Sequence, residues 1–340
     1  MAGGSPWTEE EKQHLMDVGV QSFLLGSDRS FHSARIMYGR LRAEGVAAGS
    51  EPSLPTVTGK TARPRLDADS IRREAEETFA DAMRSDSLRK NQRIEFAHGP
   101  IAIFFVGDQH IGNPGTDVAR MYREQEEMLE TPGGYVILTG DLVDNYIVSK
   151  LQMENAKDEL SVQKQWALAK DYVSRFGDRL IGVNSGNHDQ WSTKLSGIDY
   201  AQQITPDDVL YDADEIRATV TIGGSRSVNL WVRHKGRGSS IYNITHAQER
   251  AARFDSSQPD VFVGAHIHQG AVAREFILDG KRKLAMMSSS YKVYDGYQRQ
   301  EGFASNDAST AVALVIEDDG SFWGTSNLGA ARKYLTAVYG

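Results

Sequence analysis

Five apolar, β-prone runs of this 340-residue chain each end at a short motif rich in Asp, Asn and His. In chain order the motifs are Asp108-x-His110, Gly140-Asp141-x-x-Asp144, Gly186-Asn187-His188-Asp189, His234, and Gly264-Ala265-His266-x-His268. Short continuous apolar runs are typical of strands that are buried on both faces. Helix-like stretches at 119–130 and 162–176 separate some of these runs. The pattern therefore predicts a layered α/β fold.

The placement of the motifs predicts that they meet in space. Ligands of open α/β sheets bind outside the carboxyl ends of the strands, and each motif follows such an end. One Asp-x-His or Gly-Asn-His-Asp motif alone is more typical of a surface turn. Five in order are not expected from turns. Together they offer carboxylates, an amide oxygen and imidazoles, a set suited to two divalent ions about 3.5–4 Å apart.

Composition narrows the chemistry and the compartment. The chain has no cysteine, which excludes disulfides and thiolate metal sites and leaves ligands suited to Mn, Fe, Zn, Ni or Mg. The net charge of −8 excludes a general polyanion binder, so a nucleic-acid contact would need a local basic patch. No apolar run approaches about 20 residues, and the first residues do not resemble a signal peptide. We therefore expect no membrane partner and a cytoplasmic protein, of a cell or of a virus-infected host cell.

Changes in composition predict four regions. Residues 1–45 have the pattern of a small helix-turn-helix-like module, and residues 46–66, rich in Gly, Ser, Thr and Pro, have that of a linker. Residues 67–99 are expected to form a helical connector, and residues 100–340 the layered domain. In the connector we expect a buried stripe formed by Ile71, Phe79 and Met83.

Across roughly residues 100–290, the ordered motifs resemble those of the calcineurin-like metallophosphoesterase superfamily. The resemblance implies a layered β-sandwich flanked by helices and two divalent metal ions, with manganese favoured. It also implies that a hydroxide bridging the metals attacks phosphorus. One metal would be held by Asp108, His110, Asp141 and His268, and the other by Asp141, Asn187, His234 and His266.

The same resemblance implies roles for two further residues. His188 would protonate the leaving oxygen, and Asp144 would orient the His188 imidazole; the alternative for Asp144 is an acidic residue at a helix start. His246 is a rival to His234 as the fourth motif. The chain also departs from the usual Gly-His-x-His ending, because Ala265 follows Gly264. We expect this extra small residue to shift the turn without removing a ligand.

One motif favours a phosphodiester of DNA as the substrate, as does the N-terminal helix-turn-helix-like segment, and one missing residue argues against a protein phosphatase. Asp108-Gln-His-Ile-Gly112 is similar to the opening motif of the Mre11/SbcD-type nuclease branch. The arginine by which protein phosphatases of the superfamily grip phosphate is replaced by Asn145. Two other functions stay open. One is a phosphomonoesterase or cyclic-nucleotide phosphodiesterase acting on a small substrate, and the other is a DNA-binding protein with a non-catalytic metal site.

Two outlying segments supply candidate substrate contacts. The N-terminal region resembles Myb/SANT-like modules, whose basic second helix would meet DNA; a solvated basic face is the alternative. Its candidate contacts are Arg29, Arg35, Arg40 and Arg42. The segment after the last metal motif could stack on a base or hold a phosphate oxygen, and a surface hairpin edge is the alternative. Its candidates are Tyr291, Lys292, Tyr294 and Arg299.

Overall fold

The computed structural model forms two compact units, Met1–Ile71 and Arg72–Gly340. It describes residues 6–45, 67–89, 92–147, 160–224, 226–238, 240, 242–293 and 309–340. The predicted linker and two candidate contacts, Tyr294 and Arg299, lie outside these residues. None of the described helices combines the length and apolar character needed to cross a membrane.

The N-terminal unit contains the two helices that the sequence predicts, α1 (Glu9–Leu24) and α2 (Phe31–Ala43). Thr8 caps α1, because its hydroxyl accepts from the Glu11 amide while the Glu11 carboxylate accepts from the Thr8 amide. Ser30 caps α2 in a similar way. The packed core between the helices is small: Leu15, Phe23 and Ala34.

The next helix, α3 (Ala68–Arg89), corrects the expectation of a buried stripe. Ile71, Phe79 and Met83 are 47%, 66% and 52% exposed, and no residue of α3 is buried. Charged residues surround these three side chains on nearly every turn. The apolar stripe is therefore too narrow and interrupted to pack as a core face.

Among its described residues, the second unit contains twelve strands and six further α-helices. The strands are β1 (Gln92–Phe96), β2 (Ile101–Val106), β3 (Gly134–Leu138), β4 (Leu180–Asn184), β5 (Leu210–Asp212), β6 (Ile216–Ile222), β7 (Val228–Arg233), β8 (Val261–Gly264), β9 (Val272–Leu278), β10 (Lys281–Met287), β11 (Val312–Ile316) and β12 (Phe322–Thr325). The helices are α4 (Val118–Leu129), α5 (Val162–Ser174), α6 (Asp189–Ser196), α7 (Tyr200–Ile204), α8 (His246–Phe254) and α9 (Leu328–Tyr339).

The strands form two six-stranded mixed sheets. One has the order β12-β11-β2-β3-β4-β5, and its four strands from β2 to β5 are parallel. The other has the order β1-β6-β7-β8-β10-β9, in which β7, β8 and β10 are parallel. The carboxyl ends of neighbouring parallel strands lie at the same edge of a sheet, so the loops that follow these strands are close together.

Two apolar layers bury both faces of the first sheet. Between the sheets, side chains such as Ile103, Phe105 and Leu314 pack against Val232 and Met286. On the outer face, helices α4, α5 and α9 cover a second cluster. The second sheet has α8 on its outer face, over a small cluster of its own. The expected layered β-sandwich flanked by helices is thus confirmed.

The structure corrects the predicted connector at residues 67–99, because only its first part is helical. Residues 92–96 form β1, which pairs in parallel with β6 at the edge of the second sheet. Ile94 and Phe96 pack against the core between the sheets, while Arg93 and Glu95 are more exposed. This alternation is typical of an edge strand. The sequence did not predict the strand because the charged residues before it have a helical pattern. The sheet unit therefore includes residues before 100.

Candidate metal centre

The ends of five strands bring the polar motifs to one place. β2, β3 and β4 lie side by side in parallel, and the loops after them carry Asp108, Asp141 and Asn187. In the facing sheet, β7 and β8 pair so that Arg233 is opposite Gly264, and the loops after them carry His234 and His266. The sequence predicted this convergence from the position of each motif.

The first cluster contains Asp108, His110 and His268. The Nε2 atoms of His110 and His268 lie 3.2 Å apart, at 3.7 and 3.0 Å from Asp108 Oδ1. On the far side of the ring, His110 Nδ1 donates to Asp144 Oδ1 at 2.7 Å. This bond fixes the tautomer and leaves Nε2 facing the cluster, as expected for a metal ligand.

The second cluster contains Asp141, His234 and His266. His234 Nε2 lies 3.1 Å from Asp141 Oδ2 and 3.2 Å from Asn187 Oδ1. His234 Nδ1 donates to the Thr139 carbonyl at 2.8 Å, so Nε2 is again the atom that faces inward. His246, the rival, begins α8 and belongs to none of the ligand clusters found among the described residues.

Asp141 joins the two clusters and provides the test of whether metal ions fit. Its Oδ1 accepts from the His188 amide at 2.8 Å. Its Oδ2 is buried and has no hydrogen-bond partner, although His234 Nε2 and His110 Nε2 lie 3.1 and 3.9 Å away. A buried carboxylate oxygen without a donor is costly unless a cation satisfies it. The surrounding ligand types are those that divalent transition metals prefer.

The electrostatics of the centre indicate the same demand for positive charge. Burial opposes ionisation of Asp108 and Asp141, yet the neighbouring imidazoles hold the pKa of both carboxyls well below the usual range. Burial would likewise lower the pKa of His110 and His234. The carboxylates beside them overcome this effect and raise each pKa to about 9. The buried carboxylates therefore remain charged and favour positive charge on the groups beside them, whether an imidazolium or a bound metal ion.

Several ligands stand on an unusual backbone. Asp108, His110, Asp141 and His266 have φ of 52°, 45°, 54° and 75°, in the left-handed region that non-glycine residues seldom adopt. Such conformations cluster at functional sites and each costs on the order of 1–3 kcal/mol. The loops after the strands thus hold these side chains in place at an energetic cost to the fold.

His188 is not in the predicted ligand set, but with His110 and Asp144 it forms a third group that could hold a metal ion. Its Nδ1 donates to the Asp144 carbonyl at 2.6 Å, and its Nε2 lies 4.0 Å from Asp141 Oδ2. Burial lowers its pKa to about 4. Two partly exposed aromatic side chains flank the imidazole: the ring centroids of Trp191 and Tyr146 lie 4.1 and 5.2 Å from that of His188. The sequence analysis did not identify this aromatic pair.

Asp144 has a different partner from the one that the resemblance implies. Its carboxylate accepts from His110 at 2.7 Å and from Asn113 at 2.8 Å, whereas His188 Nδ1 lies 3.9 Å from the nearer carboxylate oxygen. Its backbone carbonyl, not its side chain, orients His188. Burial alone would raise the pKa of Asp144, but His110, with a smaller effect from Lys292, holds it at about 2.

Sequence reasoning also missed residues that hold the loops together. Asp189 accepts from the amides of Gly186 and Leu142, at 2.9 and 3.0 Å, and so ties the loop after β4 to the loop after β3. Burial, with repulsion from Asp141, raises the pKa of Asp189 to about 7. A Cβ on Gly186 would lie 2.1 Å from the Asp141 amide, so only glycine fits there. The Gly186-Asn187-His188-Asp189 motif contains both residues, but its pattern does not reveal that Asp189 joins the two loops.

The predicted substrate contacts have mixed outcomes. Tyr291 is completely buried in the core beneath the first sheet, so the expectation that it stacks on a base is wrong. Lys292 is also buried, and its charge acts on Asp144 and His110. Arg29 donates to Glu11 at 2.8 Å and lies over the Trp7 ring, so it stabilises the N-terminal module itself. Arg35, Arg40 and Arg42 are exposed, and their contact with DNA stays a prediction.

Comparison with known proteins gives distant structural similarity. No family model and no curated protein matches the chain. A Vps29 single mutant from Entamoeba histolytica is 13% identical with a TM-score of 0.36, over 66% of this chain and 97% of that one. Nuclease MPE from Pseudomonas putida is 14% identical with a TM-score of 0.29, over 66% and 87%. A cold-active protein-tyrosine phosphatase from a Shewanella species is 15% identical with a TM-score of 0.30, over 69% and 82%. At these values the function must be argued from the site itself.

Proposed function

We propose that the chain is a metal-dependent phosphoesterase that hydrolyses phosphodiester bonds, with DNA as its substrate. One observation carries the proposal. The buried Asp141 Oδ2 has no hydrogen bond, and His110 Nε2 of the first cluster and His234 Nε2 of the second lie 3.9 and 3.1 Å from it. Such a carboxylate is suited to bridging two cations, and paired cations are the usual catalysts of phosphoryl transfer without a covalent intermediate.

Seven residues would hold the metals. Asp141 would be shared, the first site would add Asp108, His110 and His268, and the second would add Asn187, His234 and His266. Bound divalent ions would lower the pKa of water and neutralise charge that develops on the phosphoryl oxygens. Manganese is the ion we favour. Asp108 and Asp141 are buried while His268 is 16% exposed, so the centre opens on the histidine side.

In this proposal His188 donates a proton to the leaving oxygen. Because the Asp144 carbonyl can only accept, His188 Nδ1 must carry a proton, which leaves Nε2 facing the centre. Burial lowers the pKa of the imidazole, so the proton that the leaving group needs would have to be stabilised by the bound substrate. The negative charge of a phosphoester placed against Nε2 would favour that protonated form.

The residue after Asp144 supports a diester substrate over a monoester. Asn145 is buried, and its amide donates to the His188 carbonyl at 2.6 Å and to the Ser192 hydroxyl at 3.0 Å. It therefore braces the loop that carries His188 and offers no positive charge to phosphate. A phosphomonoester dianion carries one more negative charge than a diester, and this position supplies no cation for it.

The test compares small diesters, monoesters and DNA. Protein stripped with a chelator and then loaded with Mn²⁺ should hydrolyse bis(p-nitrophenyl) phosphate faster than p-nitrophenyl phosphate. It should also cleave labelled single- or double-stranded DNA, and the Asp141→Asn variant should do neither. Absence of metal-dependent hydrolysis in the wild type would overturn the proposal. Preference for the monoester, without DNA cleavage, would favour a small-substrate phosphatase.

A further inference from the structure

A cavity of about 430 Å³ lies next to the metal centre. The loop after β7 forms one wall, with Lys235, Gly236 and Gly238, and His266 and Ile267 lie on the opposite wall. The remaining lining is apolar: Ala247, Ala265 and Met287. The cavity therefore shares His266 with the second metal cluster and begins one residue beyond His234. Its volume is within the range of pockets that hold small organic ligands.

The loop that lines the cavity carries two basic side chains: Lys235 is part of the lining, and Arg237 stands between the lining residues Gly236 and Gly238. Lys235 and Arg237 are exposed, and in the part of the chain that the structure describes neither forms an ion pair. Their neighbours differ, because Arg233 pairs with Glu215 and Arg274 pairs with Glu249. Two unpaired cations beside a metal centre raise the local concentration of anions, although the whole molecule carries a net charge of −8.

Close packing holds this loop in place. A Cβ on Gly236 would lie 2.7 Å from the Ala247 Cβ, so the loop rests directly on the first turn of α8. Gly238 has φ of +94°, which favours glycine, and lies against His246 and Arg250 of the same helix. A loop fixed in this way presents its charges with little loss of entropy on binding.

We propose that this cavity is a subsite for the nucleotide next to the scissile bond of a single-stranded nucleic acid. The apolar lining would take the base, while Lys235 and Arg237 would contact its phosphate. The inference rests on the proposed phosphodiesterase function and names the substrate class for that same centre. A base that is paired and stacked in a duplex cannot enter a cavity, so the strand must be unpaired at this point.

The test measures binding without turnover. Chelator-treated full-length protein is titrated into a fluorescein-labelled oligo(dT) at several salt concentrations, and anisotropy gives the affinity. For single strands, each phosphate contact contributes about 0.7 to the slope of log affinity against log salt. The double variant Lys235→Gln/Arg237→Gln should therefore lower the slope by about 0.7, because both side chains contact the same phosphate. The matched control, Lys170→Gln/Lys333→Gln, removes two exposed charges from helices α5 and α9 and should leave the slope unchanged.

The binding test and the hydrolysis test can fail independently, so they distinguish the subsite from the phosphodiesterase function. A slope unchanged by the Lys235/Arg237 pair would overturn the subsite, and so would an equal loss of affinity, on changing the pair, for a single strand and for the same sequence as a duplex. Circular dichroism and the melting temperature establish that the variants are folded before binding is compared. Hydrolysis of bis(p-nitrophenyl) phosphate by metal-loaded wild type tests the phosphodiesterase independently. Hydrolysis can be absent while the oligonucleotide still binds at the cavity, and hydrolysis can be present while the cavity does not bind the oligonucleotide.

Discussion

The candidate metal centre and the N-terminal module use charged residues in opposite ways. In the centre, Asp108 and Asp141 are fully buried, stay ionised against the effect of burial, and are positioned by loops between packed strands. In the module, charges lie on the surface of two helices around a small core, and Arg29, in the turn before α2, pairs with Glu11 of α1. The comparison shows that charge density in a sequence does not reveal function. Charges kept buried at an energetic cost are the stronger indication of a site.

The largest effect is expected at Asp141, the carboxylate that the two proposed metal sites share. Asp141→Asn should reduce diester hydrolysis to background and weaken both metal sites, because Asp141 Oδ2 lies between the two clusters. Elemental analysis of Mn-saturated protein should give two ions per chain for the wild type and fewer for the variant. A wild type that never exceeds one specific ion would contradict the arrangement.

His188→Ala tests a residue of the centre that the proposal does not count among the metal ligands. We expect turnover of DNA to fall by about 10²–10⁴-fold, the usual loss when an acid–base residue is removed. Metal content should stay near that of the wild type. An ester with a very good leaving group needs less proton donation, so its hydrolysis should fall less. Equal losses for both substrates would mean that His188 does not serve the leaving group.

Asp144→Asn tests a buried charge of the centre that is not itself a proposed metal ligand. The Asp144 carboxylate binds His110, so the loss should appear as metal affinity weakened by about 10–100-fold, the range for outer-shell partners of metal ligands. Activity at saturating metal should recover in large part. Asp171→Asn, which removes a partly exposed carboxylate paired with Arg175, is the control. A defect that excess metal cannot repair would return Asp144 to the role of orienting His188.

Deleting residues 1–60 tests the contribution of the module. Hydrolysis of a small phosphodiester should persist, because every proposed ligand lies beyond residue 100. Binding to long duplex DNA should lose salt dependence, by about 0.9 in the slope for each arginine among Arg35, Arg40 and Arg42 that contacts phosphate. The triple Arg→Gln variant at these positions should reproduce the effect without the deletion. An unchanged slope in both would leave the module without a role in binding DNA.

The smallest effect concerns the stability of the module in acid. The ion pair with Arg29 lowers the pKa of Glu11 from 4.5 to about 2. A lowered pKa stabilises the folded module above pH 4.5, and this stabilisation is lost as the pH falls toward 2. Hydrogen exchange should show protection of α1 and α2 declining over that interval. Glu11→Gln should flatten the decline, whereas the exposed Glu10→Gln should not.

The positions of the ligands could be predicted from the sequence because they depend on local patterns. An apolar run such as 101–106 predicts a strand, and the polar residues after it must lie at the edge of the sheet. Parallel pairing then brings distant motifs together, as it does for Asp108 and Asp141. The same reasoning gave both helices of the module, since Thr8 and Ser30 carry capping signals that act within one turn.

Contacts that depend on the path of a loop could not be predicted in this way. His188 is oriented by a backbone carbonyl 44 residues away, and no side-chain pattern encodes that partner. Tyr291 lies in a basic and aromatic segment that suggested a surface, yet it is buried in the same core cluster as Tyr172, on a different element. The exposure of α3 likewise depends on whether a partner surface exists, which a helical stripe alone does not show.

The left-handed backbone at Asp108, His110, Asp141 and His266 has a consequence for engineering. Glycine or asparagine adopts this conformation at lower cost, so replacing a ligand by either can relieve strain in the resting protein. A library ranked by melting temperature would then enrich the variants in which the centre has been dismantled. At these four positions, substitutions that raise the melting temperature are expected to lower turnover. Directed evolution of this protein should therefore select on a catalytic readout first and on heat resistance second.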